Sequence, residues 1–152
     1  VIASTGKMTS IDFLTDLGAK LVIPRKDVYD ESGKPLLRGR WIGAIDTVGG
    51  NTLSTVIRST KHRGLINCLG NVESDKFETS VYPFLLRGVT ITGIDSAERP
   101  MDVRQQIWEN IAGDWGIDLP ERIIQERTLE ELNDEIDKIL EGGQIGRILV
   151  KI

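Results

Sequence analysis

Short apolar runs alternate with amphipathic stretches along almost the whole chain, the pattern of buried parallel strands separated by helices. Val1-Ile2-Ala3 is an apolar run with no polar lead-in, expected to be a strand entered partway. Thr9-Ser10-Ile11-Asp12 carries cap-type residues, Ile11, Leu14 and Leu17 recur at helical spacing, and Gly18 supplies a stop, so a short helix follows. Leu21-Val22-Ile23 predicts a strand ended by Pro24, and the polar segment to Arg40, with Gly33, Pro35 and Gly39, an irregular connection.

Trp41 to Ile45 predicts a second buried strand, which delivers Asp46-Thr47-Val48-Gly49-Gly50 to its carboxyl end. Leu53, Val56 and Ile57 give the apolar side of the next helix, Lys61-His62-Arg63 marks its solvated end rather than placing His62 as a general base, and Gly64 resets the chain for a strand from Leu65 to Leu69. Val81 to Arg87 is helical or irregular, and Val89 to Ile94 alternates in the manner of an edge strand. Pro100 suits the first turn of a helix bearing Val103, Ile107, Trp108 and Ile111 and closed by Gly113. Ile123-Ile124 has the composition of a short strand. Thr128-Leu129-Glu130-Glu131 is a capping-box pattern before a helix stopped at Gly142-Gly143, and Ile148 to Ile152 is the last strand. The predicted fold is α/β with right-handed crossovers, and ligands gather at the carboxyl ends of such strands. The loops to watch are therefore residues 4–7, 46–50, 68–71 and 93–96.

With 152 residues the chain is long enough for one well-packed domain. A net charge of -4 argues against a general nucleic-acid binder, whose phosphate contacts need a basic face. The apolar runs are strand-sized and the opening residues lack a leader pattern, so no membrane partner is expected and the expected location is cytoplasmic. A single cysteine and a single histidine can form neither an internal disulfide nor an ordinary zinc site, so no metal is expected. Cys68 sits in an apolar run and is a strand residue or a reactive thiol.

Ser4-Thr5-Gly6-Lys7 ends the first strand where an NAD-specific nucleotide fold usually carries an acid for the ribose hydroxyls. Hydroxyls, a glycine and an ammonium would instead suit a dianionic 2'-phosphate, and an ordinary turn has the same composition. Asp46 at a strand end is either a phosphoryl acceptor or metal ligand, or the cap of the following helix, and Asp95-Ser96 poses the same choice. No G-x-G-x-x-G, Walker, G-x-S-x-G or Cys/His pattern occurs. Gly142-Gly143-Gln144-Ile145-Gly146 follows a helix, not a strand, and is expected to be a helix stop and a turn.

The segments VIASTGK, DFLTDLGAKLVIPR, WIGAIDTVGGNTL, GLINCLGN, YPFLLRGVTITGIDS and GQIGRILVKI, in that order, resemble the C-terminal half of the medium-chain dehydrogenase/reductase superfamily. The similarity is to its zinc-free quinone-oxidoreductase and acryloyl-coenzyme A reductase branch. It implies a Rossmann-like, doubly wound, mostly parallel sheet in three layers, spanning 1–152, with the part from about 118 returning toward a catalytic domain. It also implies an NADP(H)-dependent enzyme that reduces quinones or activated C=C bonds by hydride transfer. The residues it assigns to NADP(H) are Ser4, Thr5, Gly6 and Lys7 at the 2'-phosphate, Val48 and Gly49 along the adenosine and ribose, Cys68 and Leu69 toward the nicotinamide, Ile94 and Asp95 near the carboxamide, and Arg147 as a phosphate contact. A homodimer through the Val89 to Ile94 edge is implied as well.

Complete members of that branch carry a catalytic domain, a central strand and a glycine-rich turn before the point matching Val1. The expectation is an inactive partial domain whose vacant strand position is settled by closure of the first strand here onto the third, by a partner's strand, or by a separate N-terminal piece. Two other functions stay open: a non-catalytic oligomerisation or interaction module, and a receiver- or phosphatase-like domain using Asp46 and Asp95.

Overall fold

Leu53, Val56 and Ile57 fall on one side of a ten-residue helix, α2 (Gly50–Ser59), and that side meets Ile66 and Val89 to make the main buried core. Trp41, Ala44, Cys68, Phe84 and Ile91 pack around it half-buried. The strands beneath are β3 (Trp41–Asp46), β4 (Thr60–Cys68) and β5 (Thr90–Gly93), joined in the order β3-β4-β5 and parallel throughout. A helix crosses over between each pair, α2 and then α3 (Tyr82–Arg87), as parallel pairing requires.

The computed structural model describes residues 1–116 and 120–152. Two compact units form: residues 4–6 with 23–108, which hold the core above, and residues 1–3 and 7–22 with 109–152. The boundary expected near residue 118 lies outside the described residues.

Around β1 (Ile2–Thr5), α1 (Ile11–Asp16) and β2 (Leu21–Pro24) the pattern succeeds: Gly18 takes φ +94 and ends the helix, and Pro24 ends the strand. Helix α4 (Met101–Ala112) follows Pro100 and buries none of its residues. In the second unit β6 (Ile124–Thr128), α5 (Leu132–Leu140) and β7 (Arg147–Lys151) form a parallel β-α-β unit. One arm of its capping box is made, with the Thr128 amide donating to Glu131 Oε2 at 2.8 Å. Glu135 is buried, and its Oε1 accepts from Arg127 and Lys138, both at 2.7 Å. The turn expected at Gly142 has φ +72.

Three expectations need correction. The strand placed at Leu65 begins at Thr60, because residues 37–40 already bond to the end of α2: Leu37 donates to the Arg58 carbonyl and Arg40 to that of Ser59. Between the pairs Trp41–Thr60 and Gly43–Leu65 the β4 side bulges. Lys61, His62 and Arg63 therefore lie on an exposed bulge and not at a helix end, with Arg63 at φ +60. Closure of β1 onto β3 also fails, since β1 bonds to β2 and β3 to β4, each with its neighbour in sequence. The outer edge of β3 stays open among the described residues, and Ile42 and Ile45 on it are 77% and 75% exposed.

Candidate functional site

Register places one residue from each strand in line: Asp46 pairs with Cys68, and Cys68 with Gly93. The chain therefore leaves all three parallel strands along one sheet edge, as Thr47-Val48-Gly49, Leu69-Gly70 and Ile94-Asp95. Main-chain bonds continue the alignment past the strands, from the Leu69 amide to the Asp46 carbonyl and from the Ile94 amide to the Cys68 carbonyl, both 2.9 Å. Six of the expected site residues, Val48, Gly49, Cys68, Leu69, Ile94 and Asp95, thus share this edge. Leu69 and Ile94 are exposed there, and Val48 and Cys68 half-buried. The edge offers apolar surface between polar turns.

Asp46 resolves the choice left open at that position. It is buried, and its Oδ2 accepts the Gly49 amide at 2.9 Å, immediately before α2. The Cys68 thiol points to the same oxygen at 3.9 Å. Asp95 accepts from the Ala97 and Glu98 amides at 3.1 and 3.0 Å, which holds a turn. Both carboxylates stabilise loops, and the receiver- or phosphatase-like reading loses its acceptor. Among the described residues no group of three or more His, Cys, Asp or Glu side chains is placed to hold a metal ion.

Ser4, Thr5 and Gly6 close β1 in the same unit as the β3-β4-β5 sheet. Arg25, just past Pro24 at the end of β2, lies over Gly6: a Cβ on Gly6 would stand 3.7 Å from the centre of its guanidinium. That is ordinary contact, and it adds a cation beside the first loop. Its signal in the sequence was a basic residue at a strand end, hidden among the charges that follow Pro24. Lys7 belongs to the other unit, where its ammonium donates to the Gln144 carbonyl at 2.7 Å. Arg147 opens β7 in that same unit, with Nη1 on the Gly146 carbonyl at 3.0 Å and its side chain exposed.

Glu73 gave no signal at all. Its carboxylate accepts the Asn51 amide at 2.9 Å, the Thr52 amide at 3.4 Å and the Thr52 hydroxyl at 2.6 Å, so it sits on the amino end of α2. Partial desolvation pulls its pKa upward, but the Thr52 hydroxyl, the two amides and the Arg25 charge outweigh that and hold it below the ordinary value.

The crystal structure of Bacillus subtilis YhfP with NAD bound is 39% identical to this chain and superimposes with a TM-score of 0.90, covering 100% of this chain and 46% of that one. The YhdH oxidoreductase from Salmonella enterica in complex with NADP is 32% identical, with a TM-score of 0.89 and the same coverage. Acrylyl-CoA reductase AcuI of Ruegeria pomeroyi is 36% identical over 152 residues. The chain spans about half the length of these relatives, 46% of AcuI. These likenesses agree with the Rossmann-like α/β fold described above. The family model for zinc-binding dehydrogenases matches residues 1–113, and the chain belongs to that family.

Proposed function

We propose that this chain is the NADP(H)-binding part of an oxidoreductase that reduces quinones or activated C=C bonds by hydride transfer. The observation that carries the reading is the alignment of Asp46, Cys68 and Gly93, which sends three loops out along one edge of a parallel sheet. The relatives crystallised with NAD or NADP, and the acrylyl-CoA reductase, support it.

The nicotinamide supplies the hydride when bound. This chain's own residues bind and orient. Ser4, Thr5 and Gly6, with Arg25 over Gly6, receive the 2'-phosphate, where two hydroxyls and a guanidinium favour a dianion. Val48 and Gly49 shape the path of the adenosine and ribose, Gly49 from within, since it is buried. Cys68 and Leu69 face the nicotinamide side, and Ile94 with the Asp95 turn the carboxamide. The resemblance alone carries Lys7 at the 2'-phosphate and, more weakly, Arg147 as a phosphate contact.

The family's description names zinc, and the donor set here does not fit one. His62 is on the exposed β4 bulge, and the Cys68 sulfur faces the loop-holding carboxylate of Asp46, not a cluster of ligands among the described residues. The described residues offer zinc no site, and the zinc-free character of the proposed reductase rests on the resemblance to that branch. The chain alone binds nucleotide without turnover, because hydride transfer needs a substrate held over the ring. Pairing of β5 edges makes a homodimer, which sedimentation equilibrium would detect.

Titration with NADPH and NADH, followed by nicotinamide fluorescence, tests the reading. NADPH is expected to bind more tightly, and Arg25→Glu and Lys7→Glu are each expected to weaken NADPH about tenfold or more while sparing NADH, one lost charged contact being worth about that factor. Equal affinities unmoved by both charge reversals would overturn it.

A further inference from the structure

The turn that follows β3 and the loop that leaves β4 are built into each other. A Cβ on Gly49 would fall 2.2 Å from the Ser74 carbonyl oxygen, one on Gly50 2.5 Å from the Glu73 carboxylate, and one on Gly70 2.5 Å from the Thr47 carbonyl oxygen. Three missing side chains thus each admit a group from the opposite loop. The amides of Val72 and Glu73 donate to the Thr47 and Val48 carbonyls at 3.4 and 2.8 Å, and Gly49 bridges to Ser74. Asp46 holds the Gly49 amide from one side, and Glu73 holds those of Asn51 and Thr52 from the other.

Glu73 occupies the position where a free anion would otherwise be drawn to α2, because a helix's first amides and its dipole attract negative charge. Its carboxylate also attracts Arg25, the guanidinium lying over Gly6.

Resting on that reading, we propose that Glu73 is a positioning residue for the nucleotide: it locks the Thr47–Gly50 turn and fills the amino end of α2 so that no phosphate binds there. Two variants of the full chain separate its parts. Glu73→Gln keeps the length but loses the charge, and Thr52→Val removes the shortest bond to the carboxylate while keeping the charge.

Amide hydrogen exchange at Asn51 and Thr52 is expected to quicken about fivefold in both variants, the size of a lost cap, with Ile66 in the core unchanged. NADPH binding is expected to weaken several-fold in both, more in Glu73→Gln, and inorganic phosphate to compete with NADPH more strongly in Glu73→Gln than in the wild type. Unchanged exchange at Asn51 and Thr52, or wild-type NADPH affinity in Glu73→Gln, would overturn the role of Glu73 alone. A wild-type chain that binds no NADPH would instead sink the nucleotide reading and this role with it, so the two failures are told apart.

Discussion

Substituting alanine at Gly50 separates backbone strain from the loop contact around it. Gly50 has φ +57, where an alanine costs about 1 kcal/mol. Its new Cβ would also stand 2.5 Å from the Glu73 carboxylate and push it off the Asn51 and Thr52 amides, and a lost cap costs about 1 kcal/mol more. The expected total is about 2 kcal/mol, a fall of about 1 M in the urea midpoint for a slope near 2 kcal/mol/M. In a Glu73→Ala background the second part has already been lost, so Gly50→Ala should then cost only about 1 kcal/mol. Gly88→Ala is the control, because Gly88 has φ +59 and no atom near its missing side chain; it should cost about 1 kcal/mol in either background. Equal costs for Gly50→Ala in the two backgrounds would refute the contact between Gly50 and Glu73.

Gly49→Ala should be more damaging, about 3 kcal/mol or above, since φ +72 with ψ -152 is essentially glycine-only backbone and the Ser74 carbonyl leaves no room; equilibrium unfolding measures it. Leu53→Ala, at the centre of the core, should lose about 2 to 5 kcal/mol with an unchanged denaturant slope. Glu73 and Glu135 both titrate below their ordinary 4.5, Glu135 because Lys138 and Arg127 bond its carboxylate. Folding therefore binds fewer protons than unfolding does, so the stability these groups add is complete above the unfolded value and is lost as pH falls through the lower folded ones. Stability measured from pH 6 to 3 should fall less steeply in Glu73→Gln and Glu135→Gln than in the wild type; identical slopes would contradict both shifts.

The strands and helices were legible wherever local pattern decides. Gly18, Pro24 and Pro100 stop or start elements through their own backbone chemistry, and Leu53, Val56 and Ile57 mark a helix side by spacing alone. Parallel order followed from alternation, and with it the edge on which Val48, Cys68, Leu69 and Ile94 lie. What stayed hidden depends on contacts distant in sequence. The early start of β4 comes from pairing with residues 37–40, and no local pattern announces it. Glu73 reads as one acid in a polar stretch, because its partners stand 21 and 22 residues earlier. The close approach at Gly49, Gly50 and Gly70, whose missing side chains leave space that the opposite loop fills, is likewise invisible to local pattern.

The open edge of β3 governs how the chain behaves when handled by itself. Among the described residues no strand pairs with the outer edge of β3 beside the bare Ile42 and Ile45 side chains, and no charged residue stands on that strand before Asp46 to ward off another backbone. Such a border recruits strands from any source, so turbidity should climb with concentration and with sulfate, which strengthens apolar burial, well before the core loosens.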